Sequence, residues 1–149
     1  MGIDQDIKQK KFKSEFQKAV INIFYTSGWL YNKHSQNLKP YGISNEQFNV
    51  LRILRGQYPN AASVKLLIDR MLDKNSNASR IVEKLRLKGL VERKECSADR
   101  RQVDVVISDK GLKLLEELDK LDDNFSIISD TFTEKDAKTL SDLLDKLRG

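Results

Sequence analysis

A chain of 149 residues, 39% hydrophobic and 33% charged, can bury one ordinary core, or a smaller core carrying extra helices that need a partner, and its pattern suits the second arrangement better. A single cysteine, Cys96, excludes an intrachain disulfide and, with no basic-then-apolar leader at the start, points to the cytoplasm. The net charge of +5 is unevenly placed: eleven basic and six acidic residues fall between Lys65 and Gln102, so this segment holds the whole excess and the remainder is neutral.

In chain order, a helical period runs from about Ile7 to Leu38 through Phe12, Phe16, Val20, Ile23, Phe24, Leu30 and Tyr31, and Pro40 and Gly42 end it. Within it, Ala19 to Asn32 is fourteen residues without a charge, too short and too polar to cross a bilayer. Such a run asks to be buried on most sides, which points to a second subunit. Ser44-Asn45-Glu46-Gln47 is a capping box that opens a helix with Phe48, Leu51 and Leu54 on one face. Ser63 caps a short helix with Val64, Leu67, Ile68 and Met71 inward, and a further helix from about Lys74 to Lys88 ends at Gly89. The period then changes to two over Leu90 to Lys94 and over Gln102 to Ile107, with Val103, Val105 and Ile107 on one side and a polar tip between the strands. Ser108 caps a long helix with Leu112, Leu115, Leu118, Leu121 and Phe125, and Thr133 caps a last one with Leu140, Leu143, Leu144 and Leu147.

The fold class is therefore mainly α with a small β-wing. A winged helix-turn-helix lobe over residues 44–108 (helix-turn-helix about 63–88, wing about 90–107) lies between an N-terminal helix, 1–38, and C-terminal helices, 109–149. On the helix from Lys74 to Lys88, Ala78, Ile81, Val82 and Leu85 define the buried face. The opposite face then carries Ser76, Asn77, Arg80 and Lys84, short hydrogen-bonding groups near the N-terminus with cations behind them. Arginine can bond guanine through two donors and asparagine can pair similarly with adenine, so this face suits the major groove; a solvated helix face is the plain alternative. Arg100 and Arg101 at the strand tip are placed to enter a minor groove, while Asp99 repels phosphate and serves best by pairing with a neighbouring arginine to shape the wing.

The run SRIVEKLRLKGLVERKECSADRRQVDVVISDKG, from Ser79 to Gly111, resembles the winged-helix segment of the MarR family of bacterial transcriptional regulators. The family's D-x-R wing signature matches Asp99 and Arg101, its helix-ending glycine matches Gly89, and its threonine-lysine-glycine motif is similar to Ile107-Ser108-Asp109-Lys110-Gly111, with serine for threonine. The resemblance implies a homodimer in which the N-terminal helix, 1–38, and the C-terminal helices, 109–149, are dimerisation helices that interlock, placing two reading helices in successive major grooves of a pseudo-palindromic double-stranded operator about 10 bp apart. It also implies a repressor that a small aromatic or anionic compound releases from DNA. The effector pocket it implies would be lined by Tyr25, Trp29, Tyr31, His34, Phe48 and Arg52, a set suited to a phenolic acid; the same rings also suit the filling of a dimer core.

Cys96 lies beside Arg93 and Lys94 but also beside Glu95, and reads as an inert residue at a strand end. With no phosphate-binding glycine loop, no metal-ligand cluster, no nucleophile with a base and one histidine, the sequence points to no enzyme, cofactor or metal. A winged helix that binds other proteins without reading DNA is the alternative function.

Overall fold

The computed structural model describes residues 2–95, 102–121 and 126–149, and divides into two compact units, Met1–Asn45 and Glu46–Gly149. The first opens with one helical turn, α1 (Ile3–Asp6), after which Lys8 takes a left-handed φ of 56°. The long helix α2 (Glu15–Leu38) begins seven residues later. Its start is set by Ser14, whose hydroxyl accepts from the Gln17 N–H at 3.1 Å, while the Gln17 side chain accepts from the Lys13 N–H at 2.7 Å. The apolar period that suggests a start near Ile7 thus continues past a local stop, because two capping bonds outweigh periodicity at a helix end. A 3₁₀ turn (Lys39–Tyr41) and Gly42, at φ 69°, close the unit.

The uncharged run of α2 is open along most of its length: Phe24 is 75% exposed, Tyr31 50% and Trp29 48%. No helix among the described residues is long and apolar enough to cross a membrane.

The second unit holds the winged lobe. Helix α3 (Asn45–Gln57) follows Ser44 and buries Phe48, Val50, Leu51 and Leu54. A two-residue strand β1 (Ala62–Ser63) leads into α4 (Val64–Arg70), a turn, and α5 (Ala78–Leu87). The wing follows as β2 (Val91–Glu95) and β3 (Val103–Ile107), then α6 (Asp109–Lys120), a 3₁₀ turn (Ser126–Ile128) and α7 (Glu134–Arg148). The three strands form an antiparallel sheet in the order β1-β3-β2, with Val105 opposite both Ala62 and Arg93. Strand β1 has no periodic signature because two residues are too few to show one. Val105 and Ile107 are buried as alternation requires, but Val106 is too, at 6% exposure, because the central strand is covered on both faces where it leaves the ribbon and enters the lobe.

One further difference from the sequence reading has a local cause. Ile68 is 41% exposed rather than inward, since the seven-residue α4 turns mainly Leu67 into the core before the chain extends at Met71. Helix α6 runs to Lys120 with Leu121 as its C-cap, and Phe125 lies outside the described residues. At α7, Thr133 and Asp136 form a reciprocal capping box, with bonds of 3.2 Å and 2.9 Å. Hydrogen bonds from the Thr133 hydroxyl and N–H hold the Asp136 carboxyl below its ordinary range. None of the residues of α7 is buried.

The end of α5, the start of the wing and the start of α6 converge on Ser108. Gly89, at φ 74°, closes α5 with its N–H on the Arg86 carbonyl at 2.9 Å and the Leu90 N–H on the Leu85 carbonyl at 3.0 Å, a Schellman end that a side chain at Gly89 would strain. The Ser108 hydroxyl donates to the Gly89 carbonyl at 2.7 Å and accepts from the Gly111 N–H at 3.1 Å, and the Ser108 backbone N–H meets the Leu90 carbonyl at 3.0 Å. Gly111 packs so closely that a Cβ would lie 2.4 Å from the Leu90 carbonyl oxygen and 2.7 Å from Ile107 Cγ1. Gly111→Ala is therefore expected to cost about 1–3 kcal/mol through overpacking, read as a lowered urea midpoint at unchanged slope.

Candidate nucleic-acid interface

The helix-turn-helix is built from polar side chains that close each gap in the backbone bonding. Ser63 caps α4, accepting from the Leu66 N–H at 3.1 Å, and the Lys74 ammonium donates to the Ile68 and Asp69 carbonyls at the other end of that helix. The Asn49 side chain of α3 accepts from the Leu72 N–H at 2.9 Å, so the turn is tied to the lobe beneath it. Asp73 accepts from the Asn75 N–H at 2.9 Å, an Asx turn that competes with helix. As a result α5 starts at Ala78 and not at Lys74: Ser76 lies in the turn, and Asn77 is the N-cap, its Oδ1 accepting from the Arg80 N–H at 3.1 Å.

Ala78, Val82 and Leu85 form the buried face of α5, with Ile81 half-buried at its edge. Arg80 and Lys84, one turn apart, are exposed on the opposite side, and neither side chain has an intramolecular partner among the described residues. Asn77 and Ser76 sit at the head of the same face, exposed and half-buried respectively. The structure therefore brings all four together, the first two as head groups of the helix. Asp99, Arg100, Arg101 and Cys96 lie outside the described residues.

One acidic residue of this surface went unassigned in the sequence. Glu83 accepts from both donors of Arg86, at 2.7 and 3.1 Å, and from the Arg93 guanidinium on β2. The hydrogen bond from Arg86, joined by the charges of Arg86 and Arg93 and the bond from Arg93, holds the Glu83 carboxyl below its ordinary range against the opposing effect of burial, and the same Arg86 bond raises Arg86. The i, i+3 spacing of Glu83 and Arg86 is a signal for the first contact; the second joins residues ten apart and depends on where β2 runs. A groove of about 360 Å³ lies beside this cluster, between the start of α4 (Ser63, Lys65), the flank of α5 (Ser79, Val82) and the wing (Arg93, Val103). Because the folded-state pKa of Glu83 is depressed, its pairing persists above the ordinary carboxylate range and is lost only as pH falls through the lowered value. An NMR titration of the Glu83 carboxyl carbon should show its midpoint below that of the same residue in Arg86→Gln.

The six residues of the implied effector pocket fall on two elements. Tyr25, Trp29, Tyr31 and His34 lie on α2 in the first unit, the three larger rings exposed and His34 half-buried. Phe48 and Arg52 lie on α3, where the Arg52 guanidinium stands 5.8 Å from the centre of the buried Phe48 ring. Among the described residues no cluster of three or more histidine, cysteine or acidic side chains is placed to hold a metal ion.

A capped reading helix, a turn fixed to the lobe and a two-stranded wing define a winged helix-turn-helix protein. Residues 41–102 match the MarR family model. In structure, the chain is similar to a MarR-like transcription regulator from Bacillus cereus, at TM-score 0.77 and 24% identity over 90% of this chain and 96% of that one. It is also similar to S. aureus MepR in complex with DNA, at TM-score 0.77 and 19% identity over 92% and 97% of the two chains. A third match is the organohalide-sensing regulator RdhR in its 2,4-dichlorophenol-bound form, at TM-score 0.79 and 19% identity over 94% of this chain and 85% of that one. No curated protein matches in sequence. The chain thus has the fold of MarR-family transcriptional regulators, with the family's sequence pattern over residues 41–102.

Proposed function

We propose that this chain is a cytoplasmic, homodimeric, sequence-specific DNA-binding regulator that acts as a repressor and releases its operator when a small aromatic or anionic effector binds. The observation that carries the reading is the pair Arg80 and Lys84, exposed and without side-chain partners among the described residues, on a helix whose two ends are fixed by capping bonds. A cation held in place with no ion pair to break can reach a base edge or a phosphate at little cost in order. Ser76 and Asn77 belong to the same contact, at the helix head, where a DNA phosphate is favoured. Arg100 and Arg101 are assigned to the minor groove, with Asp99 shaping the tip between them. The MepR complex with DNA supports this role for a chain of the same fold.

Homodimerisation is supported by faces that one protomer leaves open. Phe16, Phe24 and Trp29 on α2 are 86%, 75% and 48% exposed, and Leu143 and Leu147 on α7 are 60% and 59% exposed, large apolar side chains that a protomer leaves uncovered on each of the two helices. Two copies interlocked through such helices would set the two reading helices about one helical turn of DNA apart. The phenolic effector rests on the aromatic residues of α2, on Phe48 and Arg52, and on the chlorophenol-bound state of RdhR. Enzymatic activity has no support in the described side chains.

Duplexes selected from a random pool supply the cognate site for the decisive measurement. Arg80→Ala should lose about 1–3 kcal/mol on that site and relax its sequence preference, while Lys84→Ala should lower the slope of log K against log salt by about one. Changes under about twofold in both variants across a salt series would remove α5 as the reading element. For the dimer, Phe24→Glu combined with Leu143→Glu should turn a two-chain sedimentation profile into a one-chain profile at micromolar concentration. A wild-type protein that sediments as single chains would sink the homodimer.

A further inference from the structure

Glu83 is the single acidic residue of α5, on the shoulder between the open face and the flank beside β2. A carboxylate on a surface that binds DNA repels phosphate, so its presence needs a purpose that outweighs that repulsion. The geometry supplies one. Its two oxygens hold Arg86 on the same helix and Arg93 on β2, and Arg93 stands opposite Val105, so a hold on Arg93 is a hold on the paired ribbon as a whole. Leu90 and Val91 are buried at the base of the wing, and Arg93 lies further out along β2, toward the tip.

We infer that Glu83 is a positioning residue of the DNA-reading surface: it fixes the angle of the wing against the reading helix through Arg93, and it withholds the Arg86 and Arg93 guanidiniums from indiscriminate contact with phosphates. The inference rests on the DNA-reading function proposed above. With Glu83 in place the three side chains carry one net positive charge, and without it two, both on mobile arms. Loss of Glu83 therefore strengthens attraction to any duplex while loosening the geometry that selects one, so general affinity and discrimination move in opposite directions. A carboxylate acting only through its charge would strengthen both together when removed. The lowered pKa of Glu83 agrees with a carboxylate kept ionised for this purpose. Because the side chains of Glu83 and Arg93 are 37% and 47% exposed, the pair contributes little to global stability, and its variants should fold.

The full-length protein is tested in two arms. In the first, nitroxides at Asn75→Cys and Lys94→Cys in a Cys96→Ser background report the distance between the turn that leads into α5 and the wing without DNA. Glu83→Gln and Arg93→Gln should each broaden or shift the distance distribution, the double variant should match either single one, and Glu83→Asp should restore much of the narrow distribution. In the second, affinities for the selected duplex and for a random duplex are compared across a salt series. Glu83→Gln should bind the random duplex at least as tightly as wild type, with a steeper salt slope, while its preference for the selected duplex falls by about tenfold. An unchanged distance distribution in Glu83→Gln overturns the inference, and so does equal tightening on both duplexes. If wild type shows no preference between duplexes, the DNA-reading function falls, while the spin-label distances still decide whether Glu83 positions the wing.

Discussion

The hydroxyl of Ser108 donates to the carbonyl that ends the reading helix and accepts from the amide that starts α6, with the first residue of the wing strand region bonded to the same residue's backbone. Three elements with different directions are thereby referred to one residue that is 9% exposed. Lys110 adds a second bond from α6 to the same helix end, its ammonium on the Lys88 carbonyl at 2.9 Å. The orphan carbonyls of a helix terminus must be satisfied by some group. Here the groups that satisfy them also orient the helix, and Gly111 permits the approach because no side chain is tolerated at that distance from the Leu90 oxygen. Everything assigned to Arg80 and Lys84 depends on α5 holding one attitude, which this junction sets at one end and Asn77 at the other.

Much of this was legible in the residues because helix ends are local. Ser63, Ser108 and Thr133 are caps in the structure as their positions suggest, and Gly89 closes α5 in the left-handed region. Where the reading failed, two local signals competed. Ser14-Glu15-Phe16-Gln17 carries the spacing of a capping box, but the apolar period of Phe12 and Phe16 runs across it and hides the stop. The stretch from Lys74 to Asn77 is compatible with a helical turn by composition, yet Asp73 and Asn77 both prefer to bond nearby backbone, and that preference delays α5 by four residues.

The candidate site divides along the same line. Residues that share a helix face, such as Arg80 and Lys84, follow from periodicity alone. The Glu83–Arg93 contact does not, because it requires the path of a strand whose direction is set by tertiary packing. Aromatic residues on α2 posed a different problem: their sequence asks for burial, and a protomer leaves them open. Composition shows that a helix needs cover, and the identity of that cover is set by surfaces outside the helix itself.

The unequal fastening of α5 has a kinetic consequence. Its tail is held by a Schellman turn, a buried serine and a lysine from the next helix, whereas its head is closed by one asparagine side chain on an exposed turn. Thermal opening of this helix therefore begins at Ala78 and travels toward Leu87, so the backbone amides that exchange fastest with solvent deuterium belong to the end that would approach a nucleic acid.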